Sequence, residues 1–377
     1  METARVGILG CGVISRTYVG DIQRFYKNLE VVACSAAHLE SAQSLADEFG
    51  IPRVYCGTDI LRDDDIDIIV NLTPPEHHVA LNRAVINAGK HLFSEKPFAL
   101  SLKDAREILS LAEEKGVTVG CAPDTFLGSG LQSVRYYLDA GLIGRPFFLS
   151  ANMTTFGPET WHPDPGFFYK KTCGPLLDMG PYYLSAIVTL LGPIESVAAV
   201  SAKPSDTRHV YVGKMAGTEI PVETPTHFSA ILRMKSGAVA NLNVSFDIYR
   251  SELPMLEICG DGGTLSYPDP NFGGGTPRVY RREQFTDVIY QQTEDALLRR
   301  ESFRELPELY PRKKDYSRGI GVSELAEAIR DRRTPRTGGD LILHVTEAME
   351  GILRSAETGG FYRMTTDCAR PDPLERR

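Results

Sequence analysis

Short apolar runs alternate with stretches of helical periodicity through about the first 120 residues, and no other feature limits the possible folds so strongly. The runs lie at residues 4–9, 30–35, 67–72, 91–94 and 117–121. They are too short for helices and too continuously apolar for strands with one wet face. Between them, helical spacing extends from the first glycines to about Lys27, then over residues 39–49 and 79–88. A further helix is expected to reach Glu114, opened by a capping box at Ser101-Leu-Lys-Asp104. Strand-length runs alternating with helices are the pattern of a doubly wound parallel sheet. Residues 1–122 are therefore expected to form one α/β domain.

The rhythm changes after Ala122, and residues 123–377 are expected to form a second domain. A helix over 127–140 and a strand over 145–155 lead into a long polar and aromatic loop, 156–173, and a helix over 174–191. Strands follow at 196–202, 227–234, 238–246 and 254–259. Lys235-Ser-Gly237 lies between two of them as a hairpin signal, so this sheet is expected to be mainly antiparallel. Residues 261–275 and 278–311 read as loop-rich, and 322–331 and 341–358 as amphipathic helices. The Pro-rich tail after Thr366 reads as mobile.

Composition narrows the function classes. At about 150 residues per domain, 377 residues fit two domains. Forty-one basic against 49 acidic side chains give a net charge of −8 without a basic run, so nucleic acid is not an expected partner. The longest apolar run, 186–191, is far short of the ~20 residues of a membrane span. The start of the chain lacks the basic stretch of a signal peptide. Seven scattered cysteines with no Cys-x-x-Cys pair suit reduced thiols in a cytoplasmic protein. The eight histidines show no His-x-x-x-His spacing, so no metal site is expected.

Four motifs bear on chemistry. Gly10-Cys11-Gly12-Val13-Ile14-Ser15 follows the first strand and opens a helix. Gly10 permits the tight turn, and Gly12 lets a pyrophosphate approach the backbone at the helix N-terminus. The second strand ends in Ser35-Ala36-Ala37-His38, without the carboxylate that would hold the ribose hydroxyls of NAD and without an Arg for NADP. Ser35 or His38 can contact either form, so NAD and NADP both stay open. Glu95-Lys96-Pro97 follows the run at 91–94, at the strand end where such sheets bind ligands. Asn71-Leu-Thr73-Pro74-Pro75, with His77 and His78, would border the nicotinamide end of the same crevice. Two adjacent histidines at a helix start read as one cap and one surface residue rather than two ligands.

Asp178 and Tyr182 are four apart on the helix over 174–191 and share a face. Gly180 and Pro181 weaken that helix, and a glycine there suggests close approach by a backbone or a ligand. A buried Asp and a core Tyr are the plainer reading of this pair. The loop Gly157-Pro-Glu-Thr-Trp161-His162-Pro-Asp-Pro-Gly-Phe-Phe-Tyr169 mixes aromatics with polar groups. That mixture suits stacking on a sugar's apolar face, and equally a packed loop.

Taken together these positions resemble the Gfo/Idh/MocA family of oxidoreductases, which includes glucose–fructose oxidoreductase and inositol 2-dehydrogenase. The likeness rests on Gly10-x-Gly12, Thr73-Pro74-Pro75 with His78, Ala88-Gly-Lys-His-Leu-Phe-Ser-Glu95-Lys96-Pro97, Gly141-Leu-Ile-Gly144-Arg-Pro146, Asp178-x-Gly180 and Gly260-Asp-Gly-Gly-Thr264. It covers nearly the whole chain. The resemblance implies a Rossmann domain followed by an α/β domain with a large open sheet, often used to form homo-oligomers, dimers or tetramers. Lys96 matches the family's catalytic lysine and Asp178 its substrate-site acid, while Tyr182 stands where the family usually has His. Ala36 stands where NAD-using members commonly have Asp.

The activity implied is NAD(P)-dependent hydride transfer at a secondary alcohol of a sugar, glycoside or cyclitol. Lys96 would stabilise the alkoxide and Tyr182 would move the proton, with Asp178 orienting the hydroxyl. Asp124, Trp161, His162 and Tyr169 would hold the sugar. Two alternatives accompany this reading: transient oxidation at C3 for elimination on tightly held NAD, and a sensor of dinucleotide and sugar without chemistry.

Overall fold

The computed structural model describes residues 3–284 and 303–375. Its contacts divide the chain into two compact units. The first comprises Met1–Thr125, Tyr316–Glu350 and Thr365–Asp372, and the second Phe126–Asp315, Gly351–Met364 and Pro373–Arg377. In place of the single break expected after Ala122, the chain leaves the first unit after Thr125 and later returns to it.

The first unit is built on six parallel strands. They are β1 (Ala4–Leu9), β2 (Leu29–Ala36), β3 (Arg53–Cys56), β4 (Ile68–Asn71), β5 (His91–Ser94) and β6 (Val119–Cys121). Their order is β3-β2-β1-β4-β5-β6, so the strand order reverses between β1 and β4. Helices α1 (Val13–Phe25), α2 (Leu39–Phe49), α3 (Pro75–Asn87) and α4 (Leu102–Lys115) connect the strands. The two-residue period of a strand sorts its side chains between two layers. Val6, Ile8, Ile68 and Val70 join one cluster with Tyr18, Val19, Ile22 and Leu45 of α1 and α2. Ile69, Leu92 and Val119 join another with Val85, Ile86 and Ile108 of α3 and α4. The capping box at Ser101 is formed, its hydroxyl accepting the Asp104 amide at 3.1 Å.

The second unit carries a mixed, mostly antiparallel sheet. Helix α5 (Ser129–Asp139) precedes β7 (Pro146–Thr154), and α6 (Gly174–Leu191) precedes β8 (Ile194–Ala202). A small hairpin, β9 (Thr207–His209) with β10 (Glu219–Pro221), stands apart from the main sheet. The main sheet adds β11 (His227–Met234), β12 (Val239–Ser245), β13 (Leu256–Gly260), β14 (Gly263–Tyr267), β15 (Arg278–Arg281), β16 (Arg304–Glu305) and β17 (Tyr362–Arg363). Its order is β16-β15-β14-β13-β7-β12-β11-β8-β17. The β12–β7 pair is parallel and the other pairings in this sheet are antiparallel. Residues 261–275, read from sequence as loop, contain β14, which pairs with β13 across an Asp261-Gly262 turn. An Asp-Gly pair between strands is itself a hairpin signal.

Helices α7 (Ile320–Asp331) and α8 (Gly339–Thr358) complete the chain's helices among the described residues. Val322 and Leu325 of α7 join the first unit's core, as does Ile342 of α8. The tail expected to be mobile is fastened instead: Cys368 is buried, and the Asp372 carbonyl accepts Arg336 Nε at 2.8 Å. Among the described residues no helix is long and apolar enough to cross a membrane.

Asp124, expected from the resemblance to hold a sugar, also has a structural task. It is fully buried, and its Oδ2 accepts the amides of Gly319 at 3.2 Å and Gly321 at 2.9 Å, capping the start of α7. Burial raises its pKa above the ordinary carboxylate value. Asp124→Ala should therefore cost about 1–2 kcal/mol, the size of a lost helix cap. A raised native pKa means that the folded state holds the proton more tightly than the unfolded chain. Stability is then lost as pH rises through the native value. The stability gap between wild type and Asp124→Asn should accordingly narrow between acid and neutral pH, as read by denaturant titration.

Candidate active site

The carboxyl ends of β1, β4 and β5 gather the first unit's candidate residues at the point where the strand order reverses. Such reversals leave a crevice for ligands. Gly10 ends β1 with φ +102°, and a Cβ there would lie 2.7 Å from the carbonyl carbon of Leu72 and 2.8 Å from the Thr73 amide nitrogen. The turn can pass this close to the β4 end only as glycine. Gly12 is the opposite case: an added Cβ would meet nothing within 4 Å, and its φ of −81° is ordinary. Open space above Gly12 and a helix start without a side-chain cap or an acidic first turn leave room and positive potential for a phosphate. Val13 stands exposed at this start, whereas Cys11 and Ile14 pack against the core. Ser15, in place of the motif's third glycine, donates its hydroxyl to the Gly12 carbonyl at 2.6 Å and tightens the turn. These features fit a dinucleotide pyrophosphate.

Neighbouring turns are locked by buried polar groups. Asn71 Oδ1 accepts the Thr73 amide and hydroxyl, at 3.2 and 2.7 Å. Pro74 caps α3 and Pro75 starts it, as suits a residue without an amide. His78, expected near the cofactor, is fully buried. Its two ring nitrogens lie 2.7 Å from the carbonyl oxygens of Pro97 and Thr73, so it bridges the two turns. Asn82, one turn further along α3, donates to Ser94 Oγ at 3.1 Å and accepts from Asn71 Nδ2 at 2.8 Å. Glu95 is buried as well, while Lys96 between these supports is only partly covered. Asn82 and Tyr18, which donates to Glu95, were not singled out by sequence. For Asn82 the available signal was its i,i+4 spacing from His78.

At the end of β2 the ribose-side expectation divides. Ser35 is buried and its hydroxyl donates to the Gly57 carbonyl at 2.7 Å, so it faces the neighbouring turn. Its carbonyl accepts the Gly10 amide at 2.8 Å and the Cys11 thiol at 3.4 Å. His38, at the start of α2, is exposed and makes no capping bond.

In the second unit, Asp178 and Tyr182 lie on α6, with Asp178 half-buried and Tyr182 buried. Pro181 inside this helix withholds the amide that would bond the Leu177 carbonyl. No foreign backbone approaches Gly180: only its own helix's Leu176 side chain lies within 4 Å of an added Cβ. The loop over 156–173 is packed on one side and open on the other. Glu159 and Tyr169 are fully buried and hydrogen-bonded to each other, and Arg208 pairs with both Glu159 and Asp247. Burial and Glu159 push the Tyr169 phenol up, and the hydrogen bond to Glu159 makes Tyr169, expected to hold the sugar, a pin for the loop. Trp161 is 64% exposed beside His162, whose Nδ1 accepts the Asp164 amide at 3.1 Å. Among the described residues, no group of three or more His, Cys, Asp or Glu is placed to hold a metal ion.

Residues 4–122 match a family model described as an oxidoreductase family with an NAD-binding Rossmann fold, and residues 131–266 match the Gfo/Idh/MocA C-terminal domain. The chain belongs to the Gfo/Idh/MocA oxidoreductase family. Its curated relatives include inositol 2-dehydrogenase 3 of Saccharopolyspora erythraea, 26% identical over 71% of this chain and 74% of the relative. Another is D-xylose 1-dehydrogenase (NADP(+)) 2 of Haloferax volcanii, 25% identical over 94% and 97%. Among solved structures, levoglucosan dehydrogenase in complex with NADH and L-sorbose shares the fold, with a TM-score of 0.78 at 19% identity. That match covers 97% of this chain and 100% of the other.

The two glycines of the turn should separate folding from binding. Gly10→Ala should lower stability by at least about 1–2 kcal/mol, because its Cβ meets backbone at a positive φ. Gly12→Ala should melt like wild type and yet bind dinucleotide at least about tenfold more weakly, by titration, because its methyl group fills space meant for phosphate.

Proposed function

We propose that this protein is a nicotinamide-dinucleotide-dependent oxidoreductase acting on a secondary alcohol of a sugar, glycoside or cyclitol. The observation that carries this reading is the placement of Lys96. It follows β5 in a turn clamped by Glu95 and by the His78–Pro97 contact, at the same carboxyl end of the parallel strands as the Gly10–Gly12 turn. The names of the relatives, an inositol and a xylose dehydrogenase, support polyhydroxylated substrates. Exposed Trp161 supplies an aromatic face of the kind that stacks on the C–H face of a sugar ring.

When bound, the nicotinamide ring supplies the hydride acceptor or donor. Gly10 and Gly12 would admit the dinucleotide's pyrophosphate, and the Thr73–Pro74 turn would border its nicotinamide end. The ammonium of Lys96 stabilises negative charge on the substrate oxygen as the alcohol is oxidised. Tyr182 takes the hydroxyl proton and returns it in the reverse direction, while Asp178 accepts a hydrogen bond from a neighbouring hydroxyl and orients the sugar. The end of β2 offers no carboxylate against a 2′-phosphate, which supports use of either NAD or NADP.

Lys96→Met should lower kcat by about a hundredfold or more while dinucleotide affinity changes little, since an oxyanion contact acts in the transition state. Wild-type turnover in that variant would sink the assignment. For Tyr182→Phe, the rise of alcohol oxidation with pH, which reports ionisation of the base, should disappear.

A further inference from the structure

Tyr18 lies on the buried face of α1, one and a half turns beyond the Gly10–Gly12 turn. Its ring packs against Phe93 of β5, and its hydroxyl donates to Glu95 Oε1 at 2.8 Å. The other carboxylate oxygen, Oε2, accepts the backbone amide of Lys96 at 2.9 Å. The backbone of Glu95 is fastened too: its amide donates to the Asn71 carbonyl at 2.8 Å, and its carbonyl accepts the Ser94 hydroxyl at 3.0 Å. The carboxylate is thus a buried link with one end on helix α1 and the other on the peptide that carries Lys96.

Burial, together with the nearby charges of Glu95 and Asp124, holds the Tyr18 phenol well above its ordinary pKa. Its hydroxyl is thereby held as a donor to Glu95. Removing that donor leaves one oxygen of a buried carboxylate without the partner it has here. Such an oxygen must find another donor, turn away or take up a proton. Each of these alters the acceptor that orients the Lys96 amide.

We propose that Tyr18 is a positioning residue for Lys96, acting through Glu95 to fix helix α1 and its dinucleotide turn in register with the lysine-bearing peptide. The inference rests on the role assigned to Lys96 above. Nothing in it requires Tyr18 to touch substrate or dinucleotide.

The test is a double-mutant cycle of Tyr18→Phe and Glu95→Gln in the full chain. It is read by steady-state kinetics, dinucleotide titration and the pH titration of Lys96 after reductive 13C-methylation. The Lys96 signal is assigned by its loss in Lys96→Met. Tyr18→Phe should lower kcat about tenfold, with KM for the alcohol and the dinucleotide Kd within about twofold. The midpoint or linewidth of the Lys96 methyl signal should change at the same time. Adding Tyr18→Phe to Glu95→Gln should cost little more than Glu95→Gln alone, the mark of two residues acting through one link. A loss of packing alone would add in the cycle and leave the Lys96 titration unmoved, and that result would overturn the proposal. If Tyr18→Phe does not fold, Glu95→Gln must still lower kcat and shift the Lys96 signal, and wild-type values there would overturn it equally. Wild-type kinetics in Tyr18→Phe beside an inactive Lys96→Met would remove the role of Tyr18 alone. Full turnover in Lys96→Met would remove the reading of the site and this inference with it.

Discussion

The first unit depends on one close approach, where the turn after β1 passes over the end of β4 at Gly10 and Leu72. Backbone there meets backbone at distances that no side chain could share. Hydrogen bonds tie the same junction from both sides, Leu72 N–H to the Leu9 carbonyl and Gly10 N–H to the Ser35 carbonyl. The contact fixes where α1 starts, and so where its uncapped amides point. A substituent on Gly10 would push apart the two strands at which the order of the sheet reverses. The nucleotide turn and the Thr73 turn hang on those strand ends, and the Lys96 turn after β5 is tied to the β4 end by the Glu95 amide on the Asn71 carbonyl.

Above this junction the polar side chains are used as ties rather than as exposed chemistry. His78 and Asn82 lie one helical turn apart on α3 and hold the Thr73, Ser94 and Pro97 segments. Tyr18 holds Glu95 from the side of α1. Buried polar groups of this kind are costly unless satisfied, and satisfied ones fix a single arrangement. The partly covered Lys96 is thereby surrounded by a frame with few alternative conformations. A similar economy operates in the second unit, where Arg208 serves two carboxylates and Tyr169 closes the loop over Glu159.

How much of this was legible in the sequence follows from the range of the interactions involved. Most strands and helices to Cys121 could be read because each run announces its own period and its own turns, but β3 was missed, a four-residue edge strand that opens on Arg53 and is only partly buried. The turn of Gly10 and Gly12 is local chemistry and was likewise plain. Strands β14 and β15 were missed because glycines and charges dominate their surroundings. The capping role of Asp124 could not be read because its partners, Gly319 and Gly321, lie in a segment that returns almost two hundred residues later. Tyr169 is likewise placed by partners that the sequence does not announce, Glu159 earlier in the loop and Arg208 beyond it. In both cases the residue type suggests a polar task, and only the folded partners show the support it gives.

The most direct test is to mix the purified chain with NAD or NADP and a panel of polyols, pyranoses and glycosides, following the near-ultraviolet absorbance of reduced nicotinamide. The account predicts a signal that grows with added dinucleotide for at least one polyhydroxylated secondary alcohol, and that reverses when the ketone and reduced dinucleotide are supplied. Binding of the dinucleotide with no absorbance change in either direction, for any member of the panel, would contradict it.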